Sequence, residues 1–324
     1  MENFYFCGNL GRVILHTDIN QVHLNSPVVT LGMFDGVHRG HQKLLSVVKA
    51  EAARRGAGSV AVTFWPHPRI VLGKAPPDFR LLHTLDEKAD RIRQAGIDHM
   101  VVIPFTSSFS RVTGVEFVEE WLCGKLKAGL VVAGDEIRFG AGGSGNADLL
   151  RKYSSGCGFE LMMLETHLHG EQRISSTYIR ECLKNNDLSQ ASQLLGYPYS
   201  LTGKVASGNR IGNTIGYPTA NLEVEEGFKQ IPGDGVYAVI AETSAGRFGG
   251  MLNIGVRPTL ADAGHQTIEV HMFGATGSFY GDKISVRFIE RLRDEMKFGS
   301  LEELKRQLDR DKEAALKCIT FDSK

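Results

Sequence analysis

The chain has 324 residues, 42% hydrophobic and 23% charged, which is room for two cored domains of ordinary globular composition. Lys plus Arg and Asp plus Glu both number 37, so no global field draws it to nucleic acid or to an anionic membrane, although a local phosphate pocket needs only a few oriented donors. The five scattered cysteines, with no CxxC pair, argue against a disulfide framework or a zinc site and for a reducing, cytoplasmic setting; no leader pattern and no run of membrane-spanning length appears.

The first half alternates two periodicities. Strands are expected at residues 27–33, 58–64, 99–105, 130–132 and 160–166. Helices are expected at 41–55, along a stripe of Leu85, Ala89 and Ile92, along Val115, Val118 and Leu122, and from 149 onward. Strict alternation implies a doubly wound parallel sheet with helices on both faces and ligands at the carboxyl ends of its strands. Near Tyr197-Pro198-Tyr199 the pattern changes. Period-two segments follow at 201–206, 235–241, 247–254, 266–273 and 283–289, which is the signature of an antiparallel barrel or sandwich. A closing helix is expected at 301–316 with Leu301, Leu304 and Leu308 as its buried stripe. The expected domains are 1–187 and 188–324.

Chemistry concentrates first at Thr30–His41, a strand, a glycine-bearing turn and a helix start. Gly32, Gly36 and Gly40 permit close ligand approach, and the helix start offers free N–H groups to an anion. His38 and His41, three apart, can face one phosphate and donate to charge developing on it. A lone HxGH is usually incidental; the strand before it and the helix after it favour function. The segment Ile174–Arg180 opens another helix, where Ser175, Ser176 and Thr177 serve as ordinary caps or, with Arg180 on the same face as Ser176, grip a polyphosphate. Gly140–Gly145 is formally GxGxxG but follows a late strand, so a dinucleotide fingerprint is rejected. There is no Gly-Lys-Ser/Thr phosphate loop.

In the second half, glycines 208, 212 and 216 suggest a loop closing over phosphates, and Pro218 fixes the entry to an extended segment. Thr219 and Asn221, two apart, face the same way and suit a hard Mg²⁺ ion, unless they are an ordinary turn and strand start. Glu269 projects opposite Ile268, Val270 and Met272, as a solvated strand residue or as a general base.

The first half resembles the nucleotidylyltransferase superfamily, Rossmann-like enzymes that attack the α-phosphorus of a nucleoside triphosphate. Ile-Ser-Ser-Thr-x-Ile-Arg and Thr63-Phe64-Trp65-Pro66-His67-Pro68 match bacterial FAD synthetases. The second half resembles riboflavin kinases through Gly216–Asn221 (Tyr217 for Phe), Asn253–Thr259, Glu269–His271, Tyr280–Phe288 and Leu292–Phe298. Together, over residues 28–320, these motifs resemble the bacterial fusion of FMN adenylyltransferase and riboflavin kinase. That resemblance implies an adenylyltransferase site with catalytic His38, His41 and Arg180, an ATP site of Gly32, Phe34, Asp35, Gly40, Ser175, Ser176 and Thr177, and an FMN site of Thr63, Pro66, His67 and Arg138. It implies a kinase site with catalytic Glu269, an ATP site of Gly208, Gly212, Gly216, Pro218, Thr219 and Asn221, Mg²⁺ on Thr219 and Asn221, and Arg293, Asp294 and Glu295 near the flavin. Partners would be riboflavin, FMN, FAD and ATP, with no nucleic acid and no membrane, for a monomer or weak homo-oligomer. Departures from the family pattern fall at Glu136 and Ile137 (family Asp and Phe), at Asn213 (family Arg) and at Phe273–Thr276. Rival readings are another small-molecule nucleotidylyltransferase, a flavin sensor with relic motifs, and a chain with one live domain. The second half counts against the first rival and the retained His38, His41, Arg180 and Glu269 against the second.

Overall fold

Valine and isoleucine fill the first half in blocks too short for helices, and these blocks form strands. In the computed structural model, which describes residues 13–165, 168–169, 172–206, 216–256 and 266–321, six of them make one sheet. They are β1 (Ile14–His16), β2 (Val28–Leu31), β3 (Ser59–Trp65), β4 (His99–Pro104), β5 (Leu130–Gly134) and β6 (Glu160–Leu164), ordered β1-β4-β3-β2-β5-β6 with every pair parallel. β1 is not among the expected strands; three residues carry too short a pattern to read. Both faces are covered, which is why the strands read as nearly unbroken apolar runs. Val29, Leu31, Val60, Val62, Val101 and Ile103 pack into one core with Phe117 and Leu122, while Val28, Ala61, Met100, Val102, Leu130 and Val132 pack into another with Leu45, Val48 and Ile92. The chain runs from β2 through β3 to β4 on one side, then returns for β5 and β6 on the other. That reversal opens a crevice beyond the carboxyl ends of β2 and β5.

The helices have readable ends. α1 (Arg39–Arg55) stops at Gly56, in the left-handed region with φ 61°. α2 (Pro68–Val71) is one turn, and α3 (Leu85–Gln94) starts in a reciprocal capping box of Thr84 and Glu87. α4 (Gly114–Glu116) runs on into a π-helical stretch, Phe117–Lys125, and α5 (Ala147–Cys157) is capped by Asn146. One expectation is corrected here: Cys123 and Cys157 form a disulfide, with Cα atoms 5.7 Å apart. Both helices lie on the same face of the sheet, and a sequence separation of 34 hides that proximity from the sequence. β7 (Leu168–His169) and β8 (Gln172–Arg173) pair as a small antiparallel ribbon.

The chain divides into two compact units after Ser176. Nearly all of α6 (Ser176–Lys184), and α7 (Leu188–Leu195) with it, therefore belong to the second unit. Gly233 N–H donates to the Leu183 carbonyl at 3.1 Å, and the Tyr237 hydroxyl to Asn186 Oδ1 at 2.7 Å. The barrel strands are β9 (Ser200–Ala206), β10 (Ala220–Glu223), β11 (Gly235–Thr243), β12 (Gly246–Val256), β13 (Gln266–Met272) and β14 (Lys283–Arg293). They close antiparallel in the order β10-β13-β12-β11-β14-β9, a barrel and not a sandwich. β10 is the one barrel strand the period-two reading leaves out. The last helix, α8 (Leu301–Cys318), buries Asp311 and Ala315 on the same face as the expected leucine stripe; Leu301 at its start is 54% exposed, and Leu304 and Leu308 are only half-buried. Arg293 on β14 meets the Asp311 carboxylate on that face through Nε at 3.0 Å and Nη2 at 2.8 Å.

Candidate active sites

The turn after β2 is strained. Phe34 (φ 48°) and the β-branched Val37 (φ 32°) both adopt a region that L residues avoid, and both are fully buried. Asp35 holds the turn in place: its buried carboxylate accepts from the Leu82 N–H at 2.8 Å and the His83 N–H at 3.2 Å, and its carbonyl accepts from Ser176 Oγ at 2.8 Å. The turn delivers His38 as the N-cap of α1, with Nδ1 accepting from the His41 N–H at 3.4 Å. The two imidazoles stack with centroids 3.7 Å apart, and Phe34 meets His41 edge-on at 5.3 Å. Burial first, then His38 and the Lys88 ammonium, hold the His41 imidazole well below 6.5, so the ring is neutral at neutral pH. Its Nδ1 is buried without a hydrogen-bond partner among the described residues.

Two cavities meet at this ring. One, of about 340 Å³, is polar, with His38, Gly40, His41, Lys43, Asp135, Glu136, Ser175 and Ser176 on its wall. The other, of about 590 Å³, is aromatic, with Phe34, Phe64, Phe105, Phe109, Phe117 and Phe139 beside Gly32, Arg138 and the Gly140–Gly143 backbone. His41, Leu44, Gly134 and Ile137 line both. Two glycines of the run are there for close packing: a Cβ on Gly140 would lie 2.4 Å from the Gly114 nitrogen, and one on Gly145 would lie 2.4 Å from the Phe139 ring.

In the barrel, register assembles the polar groups. Glu269 on β13 stands opposite Asn221 on β10 and opposite Asn253 on β12, so the three side chains share a face. Thr219 Oγ1 donates to Glu269 Oε2 at 3.2 Å. Asn253 Nδ2 donates to Glu295 Oε1 at 3.3 Å, and Gly255 leaves the room, since a Cβ there would fall 1.7 Å from that carboxylate oxygen. His271 Nδ1 lies 2.7 Å from the Pro218 carbonyl, and the Tyr217 hydroxyl bonds to Asp309.

A family profile described as FAD synthetase matches residues 20–178, and one described as riboflavin kinase matches residues 195–319. A bifunctional riboflavin kinase/FMN adenylyltransferase of Listeria monocytogenes is 37% identical over 297 residues, 92% of this chain and 92% of that protein. One from Escherichia coli K12 is 36% identical, over 91% of this chain and 93% of its own length. The chain belongs to the bifunctional riboflavin kinase/FMN adenylyltransferase family. A Streptococcus pneumoniae structure described as a macrolide-efflux protein also superposes, with TM-score 0.84 and 31% identity over 94% of this chain and 98% of that one. No helix among the described residues is long and apolar enough to cross a membrane.

Set beside the family's two activities, the expected residues divide. Gly32, Phe34 and Arg138 line the aromatic cavity; Gly40, Ser175 and Ser176 join His38 on the polar one. Asp35 faces backbone amides instead. Thr63 is fully buried, donating to the Met33 carbonyl at 3.2 Å and accepting from Lys88 Nζ at 3.4 Å. Pro66 follows a cis peptide, and His67 caps α2 and packs on Phe79; neither is on either cavity wall. Thr177 and Arg180 open the second unit, where Arg180 Nη2 donates to Thr177 Oγ1 at 3.1 Å. Thr219, Asn221 and Glu269 are brought together, Gly216 takes φ 85°, and Gly208, Gly212, Asn213, Pro258 and Thr259 lie outside the described residues. Arg293 spends its guanidinium on Asp311 and the Asp294 carbonyl. The sequence assigns no role to Lys43 or to the phenylalanines other than Phe34, and it marks Asn253 only as the start of a motif, not as the partner of Glu269. It treated Glu136 and Ile137 only as departures, yet both are cavity wall. Recurrent phenylalanines at 64, 105, 109 and 117 were the available signal.

Proposed function

We propose that the barrel phosphorylates riboflavin with ATP to give FMN, and that the sheet unit adenylylates FMN with a second ATP to give FAD and pyrophosphate. The observation that carries the second reaction is the His41 ring standing in the wall of both cavities. A triphosphate fits the polar cavity and an isoalloxazine ring the aromatic one, so an FMN phosphate and an ATP α-phosphorus would meet at the imidazole pair. An FMN phosphate oxygen bonds to that phosphorus, the bond to the bridging oxygen breaks, and pyrophosphate leaves. Neutral His41 donates an N–H to the phosphoryl oxygens as charge builds, with His38 beside it. No protein nucleophile is needed. Ser175, Ser176, Thr177 and Arg180 are assigned to the polyphosphate on their motif.

In the barrel, Glu269 takes the proton of the riboflavin ribityl hydroxyl as its oxygen bonds to the γ-phosphorus and ADP departs. Thr219 and Asn221 are the residues that would hold Mg²⁺; a hydroxyl and an amide oxygen beside a carboxylate are the hard donors that ion prefers. Bound there, Mg²⁺ would neutralise phosphate charge. Glu295 is assigned to the flavin, with Arg293 as its structural anchor. The domain boundary is placed at 187/188, in the gap between the two matched profiles, although α6 packs with the barrel. A cytoplasmic monomer or weak homo-oligomer is the matching assembly.

Incubation with riboflavin, ATP and Mg²⁺, with the flavins resolved by chromatography, tests both halves. FMN without FAD rejects the assignment of the sheet unit, and no new flavin rejects the whole reading.

A further inference from the structure

His271 is a buried polar group of the barrel that the two reactions leave unused. It sits two residues after Glu269 on β13, buried to 8% exposure between the Tyr217 ring at 5.0 Å and the Phe273 ring at 5.7 Å. Its Nδ1 lies 2.7 Å from the Pro218 carbonyl oxygen. A carbonyl only accepts, so the proton is on Nδ1, and the imidazole is the donor.

The position of that bond is informative. β10 and β13 pair at Ala220 with Val270 and at Asn221 with Glu269, and the named strand β10 begins at Ala220. Before that point the backbone at Pro218 relies on a side chain, and His271 supplies the donor. Thr219 is thus fixed from both ends, by the imidazole on the residue before it and by the ladder on the residue after it. Its hydroxyl is thereby held 3.2 Å from the Glu269 carboxylate. A second anchor lies beside the first: the Tyr217 hydroxyl bonds to Asp309 on α8.

We propose that His271 is a positioning residue for phosphoryl transfer, acting through the Pro218 carbonyl to place Thr219 against Glu269. The inference rests on the kinase reading above. It touches no substrate. It sets the spacing between the hydroxyl that grips the phosphate side and the carboxylate that takes the proton, and misplacement of about 1 Å in such a pair costs on the order of 100-fold in rate.

The test compares His271→Asn with His271→Gln in the full chain. Both are polar and similar in size, but only Asn puts an N–H where the imidazole Nδ1 lies; the Gln amide reaches the Nε2 position. Three quantities are measured: kcat and KM for ATP in FMN formation, conversion of supplied FMN to FAD, and the rise in Tm produced by ADP with Mg²⁺. The expected result is a loss of roughly 10- to 100-fold in the FMN-forming kcat for Gln, recovery of at least tenfold of that loss by Asn, a smaller ADP-induced Tm rise for Gln than for Asn, and unchanged FAD formation in both. Equal behaviour of Asn and Gln, whether both active or both impaired, overturns the proposal. If the unsubstituted chain itself forms no FMN, the kinase reading fails instead, so the two failures are told apart.

Discussion

In the sheet unit the cavity walls come from the segments that leave β2, β3, β4, β5 and β6; in the barrel, Asn221, Glu269 and Asn253 are neighbours across a ladder. The first arrangement places groups by turn chemistry, including two residues at strained positive φ and a buried carboxylate wired to backbone amides. The second places them by register, where the hydrogen-bonded ladder does the positioning. The contrast has a practical meaning. A loop-built site can change a wall residue, as at Glu136 and Ile137, without moving a strand, while a ladder-built one is exposed to any change that shifts a strand or the side chains that finish it.

The comparison can be broken most sharply by removing the one proton acceptor. Glu269→Gln should lower FMN formation about 10²- to 10⁴-fold while conversion of supplied FMN to FAD continues; parallel loss of both, in a folded protein, contradicts two separate sites. His41→Ala should do the reverse, slowing FAD formation about 10²- to 10³-fold as FMN accumulates. Asp311→Ala leaves the mostly buried Arg293 guanidinium without its partner and should destabilise the barrel by about 3 kcal/mol, read as a lower urea midpoint for the barrel. Gly255→Ala pushes the Glu295 carboxylate away from Asn253; the lost bond should raise the riboflavin KM by about 3- to 10-fold with kcat kept. The smallest effect concerns pH. His41, His99 and His271 all lie below 6.5 in the folded chain, chiefly through burial. Unfolded imidazoles take up protons below about pH 6.5 and the folded ones do not, so stability is complete above that value and is lost as pH falls toward the folded pKa values. Thermal melts at pH 7.5 and 5.5 should show the lower midpoint at 5.5.

Much of this architecture is legible in the sequence because two periods, 3.6 and 2, separate the halves cleanly. β1 and β10 escape because three or four residues cannot display a period. Along α8 the expected face holds but its extent does not: the stripe begins at an exposed Leu301 and runs on to Asp311, a charge that is buried because Arg293 pairs with it. For the sites, short motifs locate His38, His41, Thr219, Asn221 and Glu269 since each lies at a local feature. The phenylalanine wall and the pairing of Asn253 with Glu269 do not announce themselves, because what unites them is tertiary: residues from distant elements converging on one cavity, or a partner assigned by strand pairing. The disulfide between Cys123 and Cys157 is of the same kind.

A chain is made from one end, and α8 follows every strand of the barrel. Within four residues it carries Asp309 for Tyr217, Asp311 for Arg293 and Lys312 over the Phe273 ring at 5.7 Å. Both cavities of the sheet unit, by contrast, have their entire walls between Leu31 and Ser176. On the ribosome, these cavities have all their lining residues while the barrel is still unsynthesised, and the barrel's polar cluster cannot be fastened until α8 has followed β14.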